Sequence, residues 1–512
     1  MEKREQTSAD CNPEPLDHTL NDLKNYVKKA AEQGLAAHEV EADMWRRVLR
    51  LGHQALDLLF HLVGSGEVGE TTTLPDGHEV RRLEGLHPRT YPSVFGSFEG
   101  ARTVYGSREG QKLEYVPFDT ELQRPESEFS YLLQDWAQGL AVEQAYRRVP
   151  ETLGRILEVK PPVDSLKRMN LKMAQSVRGF RESRPAPEPE AEGALCVVSA
   201  DGKGIPIRRS TSEVPIEAHD RDQKPKTNRK KMAVVGTVYT IDPFVRTPEE
   251  VAASLFRDPN DATPCAKRPE PQHKRLWASL PQDQDGDLIS ATDETFGWLA
   301  QEVARRHPDS HTPTLLLMDG QKSLWEAGQR DLPPDDLIDI LDLLHATPRI
   351  WEAARLFYVR DSEPAWEFVY DRVLRLLRGE VRSVMAGLRQ MGTKRQLRGK
   401  KRDKLAKLCG YLQNNAHRMR YDEYLAAGYP IASGVIEGAC RHVVKDRMER
   451  SGMRWTLESA QAMLDVRSTY VNGDWDTFMK YRIEKETQRL YPHRELVEPI
   501  DMPEGIEMLI AA

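Results

Sequence analysis

The chain has 512 residues, more than one hydrophobic core usually organises, so two or three structural units are expected. Apolar residues make up 39% and charged residues 30%, a globular mixture that excludes a wholly disordered chain and leaves a highly charged surface. The net charge of −7 argues mildly against DNA binding, so affinity for nucleic acid has to come from local runs of Lys and Arg.

The N-terminal part reads as mainly helical, with amphipathic stretches at Leu20 to Leu35 and Glu39 to Val63. The apolar run at Leu56 to Val63 is short and interrupted by His61, and no membrane span or signal peptide is expected. Between Arg89 and Tyr105 lie short β-prone runs punctuated by glycines, and from Phe129 to Val177 several helical stretches follow one another. The break at Pro161-Pro162 gives this last region the outline of a helix-turn-helix, in which Ser165, Lys167, Arg168 and Asn170 would be the base-reading positions and plain helix packing the alternative. The Pro/Glu segment PAPEPEAEG, 185–193, lacks apolar periodicity and reads as a linker between an N-terminal domain (1–184) and a catalytic domain (194–480), with a tail over 481–512.

After the linker the pattern changes. Leu195 to Ala200, Gly204 to Arg209 and Met232 to Thr240 predict three antiparallel strands, followed by a helix over Ala291 to Arg306 and a fully apolar strand, TLLLM, over Thr314 to Met318. Leu337 to Leu344 is a strand or a helix start, and helical periodicity dominates an insertion over about 348–425. Strand hairpins followed by alternating helix and strand predict an α/β layer structure. Two runs are strongly basic: Lys224 to Lys231, and Lys394 to Lys407. The five cysteines, Cys11, Cys196, Cys265, Cys409 and Cys440, form no C-x-x-C pair, which supports neither a zinc ribbon nor a disulfide framework and fits a reducing cytoplasm.

Three carboxylates stand where chemistry could be placed. Asp201 ends the first apolar run in SADGKG, where Asp-Gly is equally a hairpin-turn signal. Asp319 follows TLLLM, where α/β proteins place ligands and where a turn or helix cap is the plain alternative. Glu437 lies on a helix that Ser433 can cap, with Arg441 and Lys445 at successive four-residue steps; a surface ladder of ion pairs is the plain alternative. Together they could hold two Mg2+ or Mn2+ ions, hard cations that prefer oxygen ligands, in the arrangement used for in-line phosphoryl displacement. No Ser-His-Asp pattern, P-loop or dinucleotide fingerprint competes.

The strings VVSADGKGIPIRR, LLLMDGQKSLW, IDILDLLHATPRIWEAA and YPIASGVIEGACRHVVKDRMERSGMRW resemble successive blocks of the ISKra-type insertion-sequence transposases, a bacterial DDE transposase family, the last block being the most specific. The resemblance implies an RNase H-like catalytic domain, a mixed five-stranded sheet with flanking helices interrupted by an all-helical insertion, and Asp201, Asp319 and Glu437 as its acidic, metal-binding triad. It implies a supporting role for Asp342 and His345, with Asp342 as the substitute should Asp319 not serve. In the last block, Arg441, Lys445, Arg447 and Arg454 would contact phosphates, and Trp455 would stack on a base or lie in the core. Some relatives carry a Cys-rich, zinc-ribbon-like N-terminal segment; Leu74 to Tyr91 here has no cysteine. The implied partners are DNA, as element terminal repeats and target, and further copies of the chain in a dimer or larger assembly on a nucleoid-associated substrate.

Overall fold

The computed structural model describes residues 16–107, 113–208, 228–257, 267–284, 287–306, 312–333, 337–450, 452–492 and 494. The chain divides into two compact units, Met1–Ser176 with Asp476–Ala512, and Val177–Trp475.

The first unit is mixed and mainly helical. Helices Leu16–Gln33 and Ala37–Val63 precede a three-stranded sheet (Thr71–Thr73, Glu79–Arg82, Tyr105–Gly106) and the hairpin His87–Ser93 with Gly96–Arg102. Asp119, on the short helix Pro117–Glu121, gathers Arg89, Arg102 and Arg124 around one buried carboxylate. The helices Arg148–Ile156 and Val163–Ala174 occupy the segment with the helix-turn-helix outline. Of its four candidate base-reading residues, Ser165 and Asn170 are buried, and Asn170 donates to Gln138 at 3.2 Å, so these two face the core. Lys167 and Arg168 remain exposed. Helix Trp475–Leu490 carries the buried pair Arg482 and Glu486 into the same unit, so the region expected as a tail begins with packed structure.

The second unit is built on a five-stranded mixed sheet. Its strands are β1 (Leu195–Arg208), β2 (Asn228–Ile241), β3 (Gln272–Ser279), β4 (Thr314–Met318) and β5 (Leu337–Leu341), in the order β5-β4-β1-β2-β3. β1, β2 and β3 pair antiparallel in sequence; β4 runs parallel to both β1 and β5. The main helices, in chain order, are α1 (Val177–Ser183), α2 (Pro248–Leu255), α3 (Ala291–Arg306), α4 (Lys322–Asp331), α5 (Leu343–Phe357), α6 (Glu363–Leu377), α7 (Val381–Lys394), α8 (Gly399–Asn415), α9 (Tyr421–Ala426), α10 (Gly434–Ala439), which continues through a π-helical turn (Cys440–Lys445) into Asp446–Met448, and α11 (Leu457–Val471). α3 joins the β1–β3 meander to β4, and α4 joins β4 to β5. The sheet centre is closed to water: Val197 and Val198 of β1 and Leu315, Leu316 and Leu317 of β4 are all fully buried, as expected of parallel strands covered on both faces.

The sequence reading and the structure part at Asp201-Gly202. No turn forms there: β1 and β2 pair without interruption from Leu195↔Ile241 to Arg208↔Asn228, with Asp201 opposite Val235. Gly202 does not take the positive φ that an Asp-Gly hairpin needs. The two expected strands are one, and the third strand of the meander is β3. Segment 185–193 lies inside the second unit, where Glu192 holds Arg306 through two contacts of 2.5 and 2.6 Å; its composition shows no periodicity because an ion pair, not an apolar stripe, ties it down. Of the first basic run, residues 224–227 lie outside the described residues.

Candidate active site

Strand register brings three carboxylates to one level. β1 and β4 pair through Val198↔Leu316, and continuing three residues along each parallel strand sets Asp201 beside Asp319. β4 and β5 pair through Met318↔Leu341, so the next residues, Asp319 and Asp342, are neighbours, and the Asp342 amide donates to the Met318 carbonyl at 2.8 Å. β4 and β5 end at this level, a position where α/β proteins collect ligand and catalytic groups, whereas β1 runs on past Asp201 to Arg208.

Each acid has a local partner. Asp319 accepts the Gln321 amide at 2.9 Å, and its own carbonyl accepts the Trp325 indole N–H at 2.6 Å, fixing the strand-to-helix turn into α4. The turn is tight against the helical insertion: a Cβ on Gly320 would come within 2.5 Å of the Tyr411 ring. Asp201 accepts the Gly202 amide at 2.7 Å and faces the Cys440 thiol, 3.5 Å away. That thiol is on the turn after Glu437, and burial followed by the charges of Asp201 and Glu437 raises its pKa. Glu437 is exposed on α10, which lies against β1 and β2.

Burial holds the Asp319 carboxyl above its usual range; the Gln321 amide and His345 pull it down, while Asp201 and Asp342 push it further up. Among the described residues, none of Asp201, Asp319 and Glu437 has a Lys or Arg ion-pair partner. Like charges gathered at partial burial without a counter-charge are unfavourable unless a cation joins them.

Asp342 is different in kind. It is fully buried, caps α5 by accepting the Leu344 amide at 2.7 Å, and also accepts the Ser433 hydroxyl and, at 3.3 Å, the Ser433 amide. His345, half-buried, sets Nδ1 3.1 Å from the same carboxylate, and this hydrogen bond raises the imidazole pKa. Asp342, His345 and Glu437 can each offer a ligand atom within 4.8 Å of the others. With most of its lone pairs engaged, Asp342 orients His345 and leaves Glu437 as the more available oxygen donor.

Ser433 therefore does not cap α10 through its side chain, as the sequence suggests; its hydroxyl is committed to Asp342. Of the five basic and aromatic positions around Glu437, Arg441, Lys445 and Arg454 are exposed. Arg447 is fully buried with its guanidinium 4.9 Å from the Trp455 ring centroid. Trp455 is 6% exposed, donates to the Met448 carbonyl and bridges to Ile207 of β1, so it is core rather than a stacking platform. An exposed Trp and a buried one are identical in sequence; here the bridge to Ile207 and the Met448 carbonyl hold Trp455 inward.

Among the described residues the group close enough to share one metal ion is Asp342, His345 and Glu437, two carboxylates and an imidazole of the kind a divalent cation accepts; Asp201 and Asp319 stand outside that group. Ser433, Gln321 and Cys440 were not foreseen as parts of the site. Ser433 alone carried a signal, its place just before a helix.

No protein-family model matches the sequence, and no curated protein matches it. Among solved structures, the Drosophila P element transposase strand transfer complex is similar with a TM-score of 0.23 at 10% identity, over 74% of this chain and 87% of that one. A likeness at that score carries no weight for fold or function.

Proposed function

We propose that the chain is a DDE transposase of an insertion sequence, an RNase H-like enzyme that cuts DNA at element ends and joins the freed 3′ end to target DNA. The observation that carries this reading is the level set of Asp201 and Asp319 on adjacent parallel strands with Glu437 on a helix packed over β1, three carboxylates without cationic partners. The sheet order, with three antiparallel strands followed by two parallel ones, and the all-helical run α5 to α9 between Asp342 and Glu437, support it.

In this reading Asp201, Asp319 and Glu437 hold Mg2+ or Mn2+. When bound, such ions activate a water or 3′-hydroxyl nucleophile and stabilise the leaving oxygen of an in-line displacement. Asp342 keeps His345 oriented through Nδ1 and thereby positions the polar floor of the site. Arg441, Lys445 and Arg454 contact backbone phosphates, and the exposed basic face of α8 adds nonspecific affinity. In strand transfer the terminal 3′-oxygen forms a bond to a target phosphorus as the bond to the target's own 3′-oxygen breaks, conserving the number of phosphodiesters.

The test is cleavage of a labelled duplex carrying the DNA that borders the gene, with and without Mg2+ or Mn2+. Metal-dependent nicking, lost in Asp201→Asn, Asp319→Asn and Glu437→Gln, is expected. Metal-dependent nicking without joining of the 3′ end would assign a nuclease of the same fold. DNA binding with no cleavage under either metal would overturn the enzymatic reading in favour of a DNA-binding regulator.

A further inference from the structure

A second polar recess lies at the other edge of the sheet. β3 is two strands from β1, on the side away from β4 and β5, and a small recess opens beside it, lined by α1, α3, β3 and the end of α11. Four guanidiniums line it, those of Arg181, Arg184, Arg275 and Arg305, against the two carboxylates of Glu302 and Asp474. Among the lining residues positive charges outnumber negative ones four to two, and Arg181 also feels the buried carboxyl of Asp465 outside the lining.

The carboxylates are already committed. Asp474 pairs with Arg184 and Arg275, each at 3.0 Å, and Glu302 pairs with Arg305. Arg181 lies over the Trp277 ring, 4.1 Å from its centroid, and has no carboxylate ion-pair partner among the described residues. Three of the residues lining this recess each carry a buried donor without a hydrogen-bond partner: Arg181 Nη1, Arg305 Nε and Trp298 Nε1. Trp298 is only 5% exposed. Folded proteins rarely leave such groups unsatisfied, and here all three are donors. The demand is for a group that accepts hydrogen bonds and carries negative charge.

We infer that this recess binds a phosphate group, as the free dianion or as a terminal phosphate on a nucleic acid. A terminal phosphate ester carries a charge between about −1.5 and −2 at neutral pH, inorganic phosphate somewhat less, and both present acceptor oxygens that suit the cationic lining and the orphaned donors. Guanidinium and indole N–H groups suit its oxygens, and the neighbouring Asp474 pairs hold Arg184 and Arg275 in place. The inference does not depend on the chemistry assigned to Asp201, Asp319 and Glu437.

Isothermal titration of the full chain with inorganic phosphate, with a 5′-phosphorylated oligonucleotide and with its 5′-hydroxyl twin tests it. Wild type is compared with Arg181→Met, with Trp298→Phe, which keeps an aromatic ring and removes only the N–H donor, and with Asp319→Asn as a control at the other site. Binding of inorganic phosphate by wild type and Asp319→Asn, weakened roughly tenfold or more in Arg181→Met and Trp298→Phe, is expected. If only the phosphorylated oligonucleotide binds in that pattern, and its hydroxyl twin does not, the phosphate comes from a nucleic acid end. Absence of binding by either phosphate, or affinities within about twofold of wild type in Trp298→Phe, means the recess holds water and overturns the inference.

Discussion

Asp319 and Asp342 are one strand apart at the same level, yet a single-atom change at each should act differently. Asp319 is ionised at a cost, because burial and the neighbouring carboxylates raise its pKa. A raised carboxylate pKa means the folded protein is favoured at low pH and loses that advantage as pH rises through the folded-state value. Asp319→Asn should therefore leave the metal-free protein as stable as wild type or more stable at pH 7.5, abolish thermal stabilisation by Mn2+, and lower nicking by roughly a thousandfold. Asp342→Asn removes the charge that the Ser433 hydroxyl and His345 address inside the core, and should cost about 1–3 kcal/mol by denaturant unfolding, with or without metal. The reverse pattern would make Asp342 the second ligand. A third acid, Asp465 on α11, is raised by burial to about 7, against the pull of the Gln461 amide and the Arg181 guanidinium and with a push from Glu294. Its penalty is absent below the unfolded value of 3.8, grows as pH rises and is complete above about 7. The stability of Asp465→Asn relative to wild type should accordingly widen in the mutant's favour between pH 4 and pH 7 and stay constant above; a gap independent of pH would contradict the assignment.

At the scale of elements, the strands that carry the site were legible and their joints were not. TLLLM is apolar on both faces and bounded by polar residues, which fixes β4 to its observed ends, and the pattern over Ala291 to Arg306 likewise marks α3. Asp-Gly misled because turn propensity is local, whereas a fourteen-residue ladder sums many cross-strand pairs and keeps Gly202 extended. Asp201 thereby gains its position: it projects from an unbroken strand rather than from a loop. The close seating of α3 on β2 could not be read from sequence either. A Cβ at Gly236 would lie 2.7 Å from Thr295 Cγ2 and 3.2 Å from Leu299, so Gly236→Ala should destabilise the protein by about 1–3 kcal/mol in chemical unfolding. An unchanged midpoint would mean that α3 can shift away at little cost. Ser433 shows the same limit at the site: a residue type that caps helices was recognised, but the tertiary acceptor that claims its hydroxyl lies 91 residues away in sequence.

For the whole molecule, net charge and local charge point in opposite directions. The chain carries −7 overall, yet Lys394, Arg395, Arg398, Lys400, Lys401, Arg402, Lys404 and Lys407 are all exposed from the end of α7 through the first half of α8. Lys404 has Glu352 at 3.7 Å and Arg402 has Asp403 at 3.9 Å, exposed contacts that leave most of this charge available to a polyanion. Replacing Lys400, Lys401 and Arg402 by Gln should weaken duplex binding similarly for every sequence and reduce the slope of log K against log salt by up to about 3. A loss confined to one sequence would instead indicate base reading by this face. Lys167 and Arg168 stay exposed in the first unit.

The most direct trial of the central claim is transposition in cells, using a selectable marker flanked by the DNA that borders the gene. The proposed chemistry predicts that wild type moves the marker and that Asp201→Asn, Asp319→Asn and Glu437→Gln each abolish movement at unchanged protein level. A marker that never moves although the protein binds those flanks, or movement that survives all three substitutions, would contradict it.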